Sequence, residues 1–246
     1  MTFGEIRHLA GKRWAFSLPR EHGATVSLSL ASFTALVLSS GTSSAVFSDA
    51  VLLVSTSLLM LWAMLLSMAS SRQLLVVSLI SSALLYCLGG LPFALWGAFC
   101  GLGLSLFGAV APVRNSLWWR ELFGLTGSVV CPLMFSYLAR PDLVLHLIAA
   151  GALLASIFSG SALIRLSRKD LGLSPLLPGA LSFLCWLILA TLSAETAALA
   201  LLPYVLQSIC LLQVDQTEKP SLKVLGKTQA FSLLFVVAVL VLRILA

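Results

Sequence analysis

The side chains that could do chemistry in this chain stand at the ends of long apolar runs. In PREHGAT, residues 19–25, Arg20, Glu21 and His22 come just before one such run. An arginine can hold a phosphate or carboxylate through two parallel N–H groups, and a histidine beside a glutamate can exchange a proton near neutral pH. Three further clusters have the same placement: Arg72 by itself; Arg114, Arg120 and Glu121 within VRNSLWWRELFG; and Arg165, Arg168 and Lys169 within IRLSRKDLG. Helical spacing sets Arg114, Trp118 and Glu121 on one face and gathers Arg165, Arg168 and Lys169 on another. An ionisable group next to hydrocarbon is costly and usually faces protein or water, so these ten residues are the candidate ligand-binding groups, and an anion is the ligand they suit. A plainer reading stands beside this one. Pro19 suits a helix start, Glu21 its positive end, Trp118 and Trp119 an interfacial aromatic belt, and the cations simply hold their loops on one side.

The elements that must position these groups follow from composition. The chain has 246 residues, 59% of them hydrophobic and 10% charged, with a mean hydropathy of +1.05; a soluble domain carries about a quarter charged residues. A membrane span needs roughly 20 mainly apolar residues. Nine such segments are predicted, at 23–43, 46–69, 73–90, 92–112, 122–139, 142–166, 175–194, 196–213 and 228–246, and they nearly exhaust the length. The runs are too continuous for the alternating strands of a barrel, so the fold class is an all-α integral membrane protein. It comprises a leader over 1–22 and a single polytopic domain over 23–246.

Charge gives an orientation. Allotting the 15 Lys and Arg to alternating sides of the nine spans puts Arg7, Lys12, Arg13, Arg20, Arg72, Arg114, Arg120, Arg165, Arg168, Lys169, Lys219, Lys223 and Lys227 on one side, and Arg140 and Arg243 on the other. The basic side is expected to be cytoplasmic. The N-terminus then lies inside and the C-terminus outside a cytoplasmic membrane. The leader, with Phe3, Ile6 and Leu9 among basic residues, reads either as an interfacial helix or as an unstructured segment. A net charge of +6 spread over short loops speaks for topology and contact with anionic membrane lipids rather than nucleic acid.

Within the spans, Gly97, Gly101 and Ser105 form one small-residue face, and Gly151, Ala155 and Ser159, with Ser156 and Gly160, form another. In lipid such faces let helices approach closely. Pro132 falls inside the fifth span and is expected to bend it. The cysteines Cys87, Cys100, Cys131, Cys185 and Cys210 show no CxxC pair or histidine partner, which makes them small apolar fillers rather than zinc ligands.

PREHGA, RELFGLTGSVVCPL, FSGSALIRLSRK and KVLGKTQAFSLLF together resemble the YwiC-like family of bacterial multipass membrane proteins, with its P-x-E-H-G-A signature. Thr25 stands where that family usually has an aromatic residue. The resemblance implies a bacterial inner membrane and no particular reaction. The arrangement of nine helices, with polar cytoplasmic loops after the second, fourth and sixth, looks like the UbiA superfamily of intramembrane prenyltransferases. That likeness implies aspartate-rich magnesium motifs, yet no Asp or Glu occurs between Asp49 and Glu121, and the later loop has only Asp170. Magnesium is held through carboxylates, so no metal or cofactor is expected and magnesium-dependent prenyl transfer is disfavoured. The basic groups at those places suit an anionic isoprenoid or other lipid-like ligand in a cytoplasmic-facing cavity. A small secondary anion transporter and a non-catalytic subunit docked on a membrane-protein partner are the alternatives.

Overall fold

Asp142 shows why one of the long helices begins where it does. Its carboxylate accepts the Leu145 backbone N–H at 3.1 Å, satisfying one of the donors that a helix start leaves without a partner. In the computed structural model the described residues are 22–39, scattered positions between 80 and 98, 129–138, 140–167, 174–213 and 222–245. Their regular elements are α1 (His22–Ser39), α2 (Val129–Leu138), α3 (Leu143–Ser167), α4 (Leu176–Leu192), α5 (Ala194–Gln213) and α6 (Leu222–Leu245). No strand occurs among the described residues, so this part of the chain is all-α.

Ser193 both ends α4 and starts α5. Its N–H returns to the Leu189 carbonyl at 2.8 Å, while its hydroxyl lies 2.8 Å from Thr196 Oγ1. Two helices, Leu143–Ser167 and Val224–Ile244 within α6, are long and apolar enough to cross a membrane. At about 1.5 Å per residue, the 25 residues of α3 exceed a hydrocarbon core about 30 Å thick. The last helix begins at Leu222 rather than at 228. The apolar run marks where hydrocarbon could start, but the hydrogen-bonded turns continue into the polar flank, where Thr228 Oγ1 donates back to the Leu225 carbonyl at 2.9 Å.

α3 is the central element, touching α1, α4, α5 and α6. α4 and α6 run antiparallel to it and α5 runs parallel to it. Gly151 lies against Leu189 and Ser159 beside Ser182 of α4, so residue numbers rise on α3 as they fall on α4. α5 returns from Ser193 alongside α3, and Gln207 beside Gln229 with Glu195 beside Arg243 set α6 antiparallel to α5. Phe135, Leu38, Leu153, Leu189, Val236 and Leu240 are fully enclosed where α1, α2, α3, α4 and α6 meet. The outward side is also apolar: Leu176, Phe183, Phe231 and Leu242 are 69–80% exposed. Large apolar side chains exposed on this scale mark a surface that meets lipid or another protein.

Candidate functional site

Arg165 is the one sequence-predicted ligand group whose side chain the structure describes. It lies in the last turn of α3, is buried, and donates from Nη1 to the Ser174 carbonyl at 2.7 Å. That bond ties the end of α3 to the approach of α4, where Ser174 Oγ accepts the Leu176 N–H at 3.3 Å. At least part of this guanidinium therefore closes the turn between two helices. His22 is the first residue of α1, and its side chain lies outside the described residues. Arg20, Glu21, Arg72, Arg114, Arg120, Glu121, Arg168 and Lys169 lie outside them altogether, as do Gly97, Gly101, Ser105, Cys100 and Asp170.

The described cations sort to two ends. Arg140 donates to the Leu38 carbonyl at the C-terminus of α1 at 3.3 Å, and Arg243 lies 3.6 Å from Glu195 at the start of α5. The antiparallel pairings set both at the end where α3 begins. Arg165 and Lys227 are at the other end.

Between the ends runs a polar seam that the charge-based reading of the sequence passes over. Trp186 Nε1–H donates to Ser159 Oγ at 3.0 Å, and Ser159 Oγ lies 2.6 Å from Ser182 Oγ. Ser182 in turn donates to the Ala155 carbonyl at 3.3 Å. The protons thus run one way, from α4 to α3 and back. Nearby, Ser156 donates to the Ala152 carbonyl at 2.6 Å, and the buried Tyr204 phenol lies beside Ser156. Trp186 and Tyr204 lie tilted to each other at 59°, with ring centroids 6.4 Å apart.

The seam continues on α5 and α6. Gln229 Nε2 donates to Gln207 Oε1 at 3.0 Å, while Gln207 Nε2 donates to the Thr228 carbonyl at 3.0 Å and to Ser232 Oγ. The Gln229 carboxamide occupies the space a side chain at position 160 would need, which is the physical reason for glycine there. Ser156, Ser182, Tyr204 and Ser232 fall near the midpoints of their helices. The spacing of Gly151, Ala155 and Ser159 marked the right face of α3. The available signal for the rest was the presence of Gln207, Gln229 and Tyr204 inside apolar runs, since buried polar groups must find partners.

Among the described residues no group of three or more His, Cys, Asp or Glu could hold a metal ion, and Cys87, Cys131, Cys185 and Cys210 are not in disulfides. The arrangement offers hydroxyl, amide and guanidinium groups, which hold oxygen atoms by hydrogen bonds. No family model, curated protein or solved structure matches the chain.

Proposed function

We propose that the chain is a multipass helical protein of a bacterial cytoplasmic membrane that binds an anionic isoprenoid or other lipid-like molecule by its headgroup at the Arg165 end of the bundle. The observation that carries this reading is the gathering of basic residues in the sequence around the Arg165 end of the described helices. At the far end, Arg140 and Arg243 are each engaged by an acceptor, a helix carbonyl and a carboxylate. At the near end, Arg165, itself held to the Ser174 carbonyl, leads in sequence into Arg168 and Lys169, and α6 opens with Lys223 and Lys227 in its sequence. A fixed positive end next to apolar helix surface suits a molecule with an acidic head and a hydrocarbon tail. The nine-span count, the cytoplasmic N-terminus, and kinship with YwiC-like or UbiA-like proteins belong to the same proposal.

Native mass spectrometry of the purified protein, followed by lipid extraction, tests it. The expected result is a retained acidic lipid-like molecule that EDTA does not strip. Each charged hydrogen bond contributes about 1.5–3 kcal/mol, so Arg168→Gln or Lys169→Gln should lower retention roughly tenfold to a hundredfold. Arg165→Gln would add a structural loss through Ser174. A parent with no acidic ligand, or variants that retain it fully, would overturn the reading. A tag after Ala246 that is labelled only from the cytoplasm would overturn the topology.

The transporter reading draws on one observation, the polar seam near mid-depth, where transporter sites usually lie. Anion flux into proteoliposomes that is abolished by Gln207→Leu would favour it over a static binding site.

A further inference from the structure

His146 is buried at the end of the bundle opposite Arg165, and neither the proposed ligand site nor the polar seam uses it. Its ring, carried by α3, meets the turn before that helix and two residues of α2. Nδ1 lies 2.6 Å from the Asp142 carbonyl, Nε2 lies 3.1 Å from Ser136 Oγ on α2, and the Tyr137 ring meets it edge-on at 5.5 Å. A carbonyl only accepts, so Nδ1 carries the proton. Nε2 of the neutral ring then accepts the Ser136 hydroxyl, which is itself fully buried.

The turn that closes over this ring, residues 140–142, carries two other attachments. Arg140 reaches the Leu38 carbonyl of α1, and Asp142 caps α3. The charged groups facing the ring are therefore Asp142 and Arg140, with Tyr137 as the titratable neighbour on α2. Glu195 and Arg243, at the same end on α5 and α6, are paired with each other.

We propose that His146 is a proton-operated latch that fastens α1 and α2 to the start of α3. Adding a proton turns Nε2 from an acceptor into a donor. The Ser136 hydroxyl must then turn its own proton elsewhere to accept from Nε2, and the ring charge is enclosed in a buried site with the Asp142 carboxylate and the Arg140 guanidinium both near it. Burying a charge without full compensation is costly. The 140–142 turn, with Pro141 exposed and Arg140 and Asp142 half-buried, is the piece that can move to let water reach the ring. Its movement releases Arg140 from Leu38. Acid at this end thus loosens α1 from the bundle, and neutral pH fastens it.

The test is hydrogen exchange of the full-length chain in lipid nanodiscs from about pH 8 to about pH 5, the range in which histidine changes charge, with rates corrected for intrinsic chemistry. Local opening of 140–146 should increase by up to about tenfold per pH unit of acidification once the ring titrates, while 150–165 stays protected. His146→Gln keeps a donor and an acceptor without a titrating charge, so it should remove the pH dependence. A second measurement labels the imidazole isotopically in a His8→Gln/His22→Gln background, leaving His146 as the single histidine. Ring protonation that coincides with opening supports the latch, even where His146→Gln fails to fold. A ring that stays neutral while the turn opens, a turn that stays closed while the ring titrates, or unchanged pH dependence in a folded His146→Gln would overturn it.

Discussion

The two helices long enough to cross a membrane are about equally apolar, yet they are used differently. The apolar stretch of α3 is 61% buried inside the protein and that of α6 only 33%. Hydropathy does not separate them, because in a bilayer hydrocarbon tails are as apolar as a leucine side chain and give helices no hydrophobic reason to associate. Small residues make the difference. α3 presents Gly151 to Leu189 and Gly160 to Gln229, whereas Gly226 of α6 has open space around it. A central helix in such a fold is one that lets other backbones approach.

The sharpest test of this contrast is a matched pair of glycine substitutions. A Cβ at position 151 would already sit 3.6 Å from Leu189. Gly151→Leu should therefore wedge α3 from α4 and lower stability by about 1–3 kcal/mol, whereas Gly226→Leu should stay within about 0.5 kcal/mol. Thermal unfolding in detergent measures both, and equal losses would break the comparison.

A smaller effect is expected at the glutamine clasp that stands in for close packing between α5 and α6. Gln229→Leu leaves Gln207 Oε1 without its donor and should cost about 1 kcal/mol. The double variant Gln207→Leu/Gln229→Leu should lie closer to the parent than the sum of the single variants, which a double-mutant cycle would show. Ser159→Ala, which removes one link from the chain between Trp186 and Ser182, should cost about 0.6 kcal/mol, the average for polar contacts between helices in lipid. The smallest effect belongs to Arg243→Gln. Its partner Glu195 is 86% exposed, so the change in melting should correspond to less than about 1 kcal/mol.

How much of this was legible can be judged helix by helix. The predicted spans at 142–166, 175–194 and 196–213 fall on α3, α4 and α5 with small shifts at the ends, because a long apolar run bounded by polar residues admits few other structures. The span predicted from 228 starts too late, since a helix outlasts its apolar portion. The site was less legible. Searching for charge found Arg165 but missed Tyr204, Gln207 and Gln229, whose uncharged polar groups stand out only as interruptions of apolar runs. His146 drew no attention because its partners, Ser136 and the Asp142 carbonyl, lie across a turn whose path the sequence does not specify.

The sequence by itself determined the helical class of the described segments, most of their extents, and a face of α3 on which small residues recur. Those follow from local physics: apolar length, helical period, and the size of a side chain. Only the tertiary structure decided that Gly160 makes room for Gln229, that Ser159 links Ser182 to Trp186, that Arg140 reaches α1, and that His146 is enclosed. Each depends on which helix lies beside which and in what register. Interchangeable apolar surfaces do not encode that choice, and it is set by a few polar and small groups that must meet their partners at once.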